Sequence, residues 1–119
     1  MEVRNRDGAE AFTTLDGSTI RVLLDARLGG AFKQSLAEAT LAPGQGTQRH
    51  HHARSEEIYV LLEGTGEVEV NGERQRVGPG DAILIPPGAA HRIQADAGGE
   101  LRFLCCCAPA YSDDDTFLE

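Results

Sequence analysis

Turns rich in glycine and proline divide this chain into short segments, and that division limits the folds open to it. The stretches between the turns, such as Thr19–Leu24 and Ala82–Ile85, have the length of β-strands. No stretch carries the sustained 3.6-residue periodicity of a helix. Short strands joined by such turns are typical of β-sandwiches and barrels, so the sequence predicts an all-β fold.

The clearest single turn is Asn71-Gly72, because this pair favours a two-residue β-hairpin. It should join strands at residues 68–70 and 74–77. The remaining strands are predicted at residues 19–24, 32–41, 48–52, 57–62, 82–85, 91–95 and 101–107. Alternation in the second of these separates Glu38 from Ala39 without indicating which faces the interior. The acidic run at 113–115 is interpreted as solvated chain or a helix N-terminus.

Two histidines separated by one residue begin the stretch that most suggests chemistry. In extended chain, His50 and His52 leave the same face about 6–7 Å apart. Their imidazoles can close on one metal ion, since a metal–nitrogen bond is about 2.0–2.1 Å long. A carboxylate follows as Glu56 or Glu57. Glu57 can join the histidines only if the chain bends between Ala53 and Glu56, because an unbroken strand would point it to the opposite face.

The three adjacent histidines could form a metal site or only a solvated polar turn, and a second stretch of the sequence distinguishes these interpretations. His91 follows the turn Pro86-Pro87-Gly88 at the start of another predicted strand. All four histidines of the protein therefore lie in these two stretches. Their concentration favours a metal site.

With these two stretches, the chain resembles a small single-domain cupin, a family of double-stranded β-helix (jelly-roll) barrels. The first family motif is matched by Gly44, His50, His52, Glu57 and Gly64. The second is matched by Gly80, Pro86, Gly88 and His91, with Ala95 where asparagine is usual. The resemblance covers about residues 35–107. It implies that His50, His52, Glu57 and His91 bind one divalent transition metal, such as Fe, Mn, Ni or Zn.

Length and charge restrict the setting of this site. The 119 residues suit one domain, 1–119, with an N-terminal strand at about 18–24 and a short tail at 108–119. The sequence contains no long apolar run and no signal-peptide core, so we expect a cytoplasmic protein. A net charge of −8 argues against nucleic acid or an anionic membrane as partner.

Strand parity predicts which side chains line the site. Gln48 shares the face of the two histidines, and Tyr59 shares the face of Glu57. Both are candidates for substrate hydrogen bonding or acid–base work, although Tyr59 could equally be a packed core aromatic. The three cysteines, 105–107, could be buried apolar residues, or one could be a thiol near the metal. No inward cluster of Lys or Arg is visible, which disfavours sugar phosphates as substrates.

These features support two hypotheses of different class. The first is a metal-dependent enzyme acting on a small polar or aromatic molecule; dioxygenation is favoured, and isomerase, decarboxylase or lyase activity is the alternative. The second is a binding or sensing module that recognises a small molecule without converting it. In either case the apolar outward set Ile58, Val60 and Leu62 predicts a homodimer.

Overall fold

In the computed structural model, which describes residues 1–119, eleven strands and two single-turn 3₁₀ helices (Arg6–Gly8 and Asp113–Asp115) make up the regular structure. Neither helix has the length or apolar character that crossing a bilayer requires. The strands are β1 (Ala11–Thr13), β2 (Thr19–Leu24), β3 (Ser35–Leu41), β4 (His50–His52), β5 (Glu56–Glu63), β6 (Gly66–Val70), β7 (Glu73–Val77), β8 (Ala82–Ile85), β9 (His91–Ala95), β10 (Leu101–Ala108) and β11 (Thr116–Leu118).

The strands form two antiparallel sheets. One sheet has the order β1-β2-β3-β10-β5-β8, and the other has the order β11-β4-β9-β6-β7. Chain neighbours are often not sheet neighbours, as in a jelly roll, where the chain crosses repeatedly between two facing sheets. The predicted all-β double-stranded β-helix is confirmed.

The predicted hairpin is also present, and its backbone explains the residue choice. Strands β6 and β7 pair from Gly66 with Val77 to Val70 with Glu73. Asn71 and Gly72 have φ angles of 50° and 82°. Two successive positive φ values define a type I′ turn, which asparagine and glycine tolerate best.

Alternation along the strands separates an inner face from an outer one. In β5, Glu57, Tyr59 and Leu61 are buried, whereas Ile58 and Leu62 are exposed. The same rule decides β3, where Ala39 belongs to the hydrophobic core. Glu38 faces outward but is still buried, because Arg6 and Arg102 bind its carboxylate at 2.9 and 3.3 Å. It is therefore neither a solvated residue nor a second carboxylate of the interior.

A glycine of the first motif lets two chain segments approach closely. Gly64 has a φ of +84°, and a Cβ there would lie 2.1 Å from the carbonyl oxygen of Glu100. Any other residue would be strained by its backbone and would also collide with the neighbouring chain.

The terminal strands were not predicted from the sequence. Strand β1 extends the edge of the larger sheet by pairing with β2. Strand β11 pairs with β4, placing Thr116 opposite His52. The acidic run before β11 does form a helical turn, but its last residue, Asp115, is buried. The interpretation as solvated chain was wrong for that residue.

Candidate metal centre

Four side chains from three strands converge inside the barrel. His50 and His52 come from β4, Glu57 from β5 and His91 from β9. One potential ligand atom from each residue lies within 4.8 Å of all the others, and all four residues are buried. The structure therefore brings together the four ligands that the family resemblance implied.

The bend anticipated between the histidines and the glutamate occurs at Ala53–Arg54. The Asp115 carboxylate stabilises it by accepting hydrogen bonds from the backbone N–H groups of Arg54 and Ser55, each at 3.0 Å. After the bend, Glu57 points inward and Glu56 is exposed. The tail of the chain thus fixes which of the two glutamates reaches the site.

Each imidazole is oriented by an oxygen at its Nδ1 atom. His50 Nδ1 lies 2.8 Å from the Gln48 carbonyl oxygen, and His91 Nδ1 lies 2.9 Å from the Ala89 carbonyl oxygen. His52 Nδ1 lies 3.1 Å from Thr116 Oγ1, whose own hydrogen is donated to a backbone carbonyl. Because these oxygens accept hydrogen bonds, Nδ1 carries the proton and Nε2 presents a lone pair to the centre.

The unpartnered atoms of the cluster fit a bound cation. Glu57 Oε1 lies 3.2 Å from His52 Nε2 and 3.4 Å from His91 Nε2. Although buried, Glu57 Oε1 and His91 Nε2 have no hydrogen-bond partner. Lone pairs that face one another in a buried site are unfavourable unless a positive charge lies between them. Three imidazoles and one carboxylate suit a divalent first-row metal.

The same proximity shifts the protonation of these groups. Burial alone would raise the pKa of Glu57, but in the metal-free cluster the hydrogen bonds that protonated Nε2 atoms of His52 and His91 donate outweigh it and hold that pKa at about 2. Glu57 in turn outweighs burial and raises the pKa of His52. Burial, together with repulsion from His91, lowers the pKa of His50. A charged carboxylate beside a neutral imidazole is the protonation state that metal binding requires.

One of the three cysteines contacts a ligand of the cluster. Cys107 Sγ donates to Glu57 Oε2 at 3.1 Å, so the other oxygen of that carboxylate faces the histidines. Burial, and then the nearby Glu57, raise the pKa of Cys107, which keeps the thiol protonated as a donor. Cys105 lies on the same face and lines the cavity, whereas Cys106 faces outward toward Gln34. A thiol beside the ligand set is thus the alternative that the geometry favours.

A cavity of about 90 Å³ opens beside the ligands. About half of its lining residues are hydrophobic, and none is Lys or Arg. Hydroxyl, thiol or carboxylate groups belong to eleven of the nineteen lining residues, which come from strands and from turns. The lining includes Phe12, Asp16, Ile20, Tyr59, Phe103 and Cys105.

The two candidates for substrate contact differ in position. Tyr59 is buried, packs on Phe103 with ring centroids 4.7 Å apart, and lines the cavity. Burial raises its pKa, so the hydroxyl stays protonated and can donate. Gln48 is exposed and does not line the cavity. The parity argument failed there because β4 begins only at His50, and the contribution of Gln48 is its backbone carbonyl.

Sequence reasoning missed Asp16, whose carboxylate lines the cavity beside His50. Asp16 lies in a turn far from both motifs, and it reaches the site only because β1 and β2 close over the barrel. Its occurrence in Leu15-Asp16-Gly17 signals a turn and nothing more.

This chain is similar to proteins of known family, both in sequence and in structure. The family model described as a cupin domain matches residues 37–107. An uncharacterized protein of Methanocaldococcus jannaschii is 44% identical over 110 residues, covering 92% of this chain and 88% of that protein. Tetracenomycin polyketide synthase protein TcmJ of Streptomyces glaucescens is 36% identical over 78 residues, covering 66% of this chain and 52% of that protein. The structure of the polyketide cyclase RemF from Streptomyces resistomycificus superposes with a TM-score of 0.82 at 27% identity, covering 97% of this chain and 89% of RemF.

Proposed function

This chain belongs to the cupin family, and we propose that it is a metal-dependent enzyme acting on a small organic molecule bound through oxygen. The observation that carries the proposal is the convergence of four buried ligand atoms, two of them without hydrogen-bond partners, beside an apolar cavity. A barrel with a purely structural role would not need such an arrangement. We also propose that residues 1–119 form one cupin domain.

The residues of the site have three different roles in this proposal: metal binding, hydrogen bonding to the substrate and exclusion of water. His50, His52, Glu57 and His91 hold a divalent metal, which supplies Lewis acidity and, if it is redox-active, electrons for reaction with O₂. Tyr59 donates a hydrogen bond to the substrate from the cavity wall. Phe12, Ile20 and Phe103 exclude water from the reacting end of the substrate.

Dioxygenation is the reaction class that we favour within this proposal. Four protein ligands leave up to two positions of a six-coordinate ion for substrate and O₂, and the cavity beside them is largely apolar. Non-redox reactions such as isomerisation, decarboxylation or lyase chemistry are the alternative, and the similar structure of RemF, a polyketide cyclase, is consistent with chemistry of that kind. The cavity of about 90 Å³ favours a ligand of few heavy atoms.

The decisive experiment begins with elemental analysis of protein purified without a histidine tag. We expect about one divalent ion per chain, and loss of that ion in His91→Ala and Glu57→Gln. Iron-loaded and zinc-loaded samples are then compared for oxygen uptake with catechols, diketones and thiols. Uptake by the iron form alone supports dioxygenation. Turnover by both forms without oxygen uptake supports a non-redox reaction, and failure to bind any metal would refute the proposal.

A binding or sensing module is the second candidate. It is favoured because burial raises the pKa of both Tyr59 and Cys105, so neither side chain readily acts as a base and only the lining aspartates remain for that role. Such a module would bind a small molecule in the metal-loaded state and leave it unchanged. Recovery of the bound compound intact after prolonged incubation with oxygen would distinguish the module from an enzyme.

We also propose a homodimer formed through the outer face of the larger sheet. On this face, one residue from each of the adjacent strands β2, β3, β10, β5 and β8 lies directly opposite its neighbour in the next strand. The resulting apolar row consists of Leu24, Leu36, Cys106, Ile58 and Leu84. A second copy of the chain would cover it.

A further inference from the structure

The carboxylate of Asp16 is held rigidly at the edge of the candidate metal centre. Its Oδ1 atom accepts hydrogen bonds from the backbone N–H and the hydroxyl of Ser18, at 2.9 and 2.6 Å. Its backbone carbonyl accepts a hydrogen bond from the Gln48 N–H at 2.8 Å. These bonds attach the turn between β1 and β2 to the segment that leads into β4, so the carboxylate is preorganised.

The second oxygen of this carboxylate faces the site without a partner. Asp16 Oδ2 lies 3.8 Å from His50 Nε2, and the side chain is only 13% exposed. Because His50 Nδ1 carries the proton, its Nε2 atom is an acceptor, as is Asp16 Oδ2. Two acceptors at this distance do not bond to each other. Asp16 lines the cavity, so its Oδ2 atom is free to accept a hydrogen bond from a group that enters there.

Asp16 lies outside the set of atoms that close on a single ion. The compact cluster consists of His50, His52, Glu57 and His91, and Asp16 is not part of it. Its carboxylate instead lines the cavity in which an organic ligand would lie. This position suits contact with a ligand more than coordination of the metal.

The charges around the cavity restrict what that ligand can be. Glu57, Asp16 and Asp25 all line the cavity, and no Lys or Arg does. The carboxylates offset the charge of a divalent ion, so little positive potential remains to attract an anion. The carboxylate groups of a dicarboxylate would also present only acceptors to Asp16 at neutral pH.

We propose that Asp16 is a substrate-binding residue that accepts a hydrogen bond from the ligand, and that the ligand is a small neutral molecule with an O–H or N–H donor next to its metal-binding oxygen. Hydroxyamides, hydroxyketones and catechols belong to this class. The inference rests on the proposed function, because it assumes a metal held by the four ligands. It adds the ligand class and a binding residue from outside both motifs.

Cobalt(II)-loaded protein provides a test that does not depend on activity. N,N-dimethyllactamide and N,N-dimethylpyruvamide are neutral, nearly equal in size and free of N–H groups, and they differ in having a hydroxyl or a carbonyl beside the amide oxygen. Binding of each is followed through the cobalt absorption bands in wild type, Asp16→Asn and Asp114→Asn. Asparagine keeps the Oδ1 atom that binds Ser18, so the turn should persist. Asp114 is an exposed aspartate away from the cavity and serves as the matched control.

We expect wild type and Asp114→Asn to bind N,N-dimethyllactamide about ten-fold more tightly than N,N-dimethylpyruvamide, because the carbonyl ligand has no donor and loses the hydrogen bond to the charged carboxylate. In Asp16→Asn the preference should disappear, while cobalt affinity stays within about three-fold of wild type. The inference is overturned if neither amide binds, if wild type does not discriminate, or if Asp16→Asn keeps the preference. Loss of cobalt from Asp16→Asn would overturn it as well, by making Asp16 a metal ligand. Failure of wild type to bind cobalt would instead refute the proposed function.

Discussion

Hydrogen bonds to single atoms decide which parts of the cluster are free to bind a metal. In His50 and His91, Nδ1 contacts the carbonyl oxygen of the residue two positions earlier. In Glu57, the Cys107 thiol occupies Oε2 and leaves Oε1 facing the histidines. Metal ligands in proteins are commonly oriented by such outer partners, and removing one partner weakens metal binding by about 10–100-fold.

Cys107 offers the sharpest test of this orientation. Cys107→Ala removes the donor to Glu57 Oε2, so the carboxylate can rotate and we expect metal affinity to fall by about ten-fold or more. Cys107→Ser retains a donor at the same position and should recover most of that loss. Affinity is measured by competition with a chromophoric chelator.

Cys105→Ala is the matched control, since Cys105 lies on the same face of β10 and lines the cavity. It should leave metal affinity almost unchanged. Equal losses in Cys105→Ala and Cys107→Ala would show that the effect comes from packing of the strand and not from the contact with Glu57.

How much of the site can be predicted from sequence depends on the residue. The pairing of His50 and His52 follows from strand parity, whereas Glu57 and His91 follow from the family motifs, and the bend that turns Glu57 inward is held by Asp115 from the tail. Asp16 does not follow, since its place depends on how β1 and β2 close over the barrel. Gln48 fails for a related reason: parity holds only within a strand, and this residue precedes β4.

The strands divide in the same way between predictable and unpredictable ones. Strands β2 and β5 to β10 could be predicted, because their sequences contain apolar runs, alternate apolar with polar residues or are bounded by clear turns. Strands β1 and β11 are three residues long, with little or no buried surface. They form because β2 and β4 present free edges to pair with, and pairing with a distant strand leaves no pattern in the local sequence.

Glycines 44 and 64, at the two ends of the first motif, allow backbone strain to be separated from steric collision. Both have positive φ angles, +77° and +84°. A Cβ at Gly44 meets nothing within 4 Å, whereas one at Gly64 would lie 2.1 Å from the Glu100 oxygen. Gly44→Ala should therefore cost about 1–2 kcal/mol from backbone strain alone. Gly64→Ala should cost clearly more, and urea unfolding of the two variants would contradict this account if their losses were equal.

The segment around Asp115 links the tail of the chain to the bend before Glu57 and predicts a pH dependence. Hydrogen bonds from the Ser55 and Arg54 backbone outweigh burial and lower the pKa of Asp115 in the folded state. The stabilisation is therefore complete above the unfolded pKa of about 3.9 and is lost as pH falls through the lower folded value. Asp115→Asn replaces the charged acceptor and should reduce stability at pH 7 by roughly 1.5–3 kcal/mol.

This difference should begin to narrow below about pH 4, where Asp115 of the unfolded wild-type chain becomes protonated, and it disappears only below the lower pKa of the folded state. Urea unfolding of wild type, Asp115→Asn and the control Asp114→Asn between pH 3 and 7 measures the effect. A gap between wild type and Asp115→Asn that stays constant over this range would mean that the carboxylate charge is not what holds the bend.

Across the molecule, the two sheets have different relations to solvent. The inner faces meet around the core and the metal centre. The outer face of the larger sheet carries the apolar row defined above, in which Ile58 is 39% and Leu84 is 58% exposed. An exposed apolar row on adjacent strands is a feature that a second subunit commonly covers. The net charge of −8 on each copy opposes such contact at low ionic strength, and burial of the uncharged row would have to offset that repulsion.

Placing a charge in that row should separate the subunits without disturbing the site. We expect wild type to sediment at about twice the chain mass of 12.7 kDa at micromolar concentration. Leu84→Glu should sediment as a monomer, because a carboxylate buried in the contact without a partner is strongly unfavourable. Phe117→Glu is the control: Phe117 is also exposed, at 45%, but belongs to the other sheet, where it stacks on the non-ligand His51. Both variants should keep one metal per chain, because neither residue touches the ligands. A monomeric wild type, or a Leu84→Glu variant that remains dimeric, would show that this face is not the subunit contact.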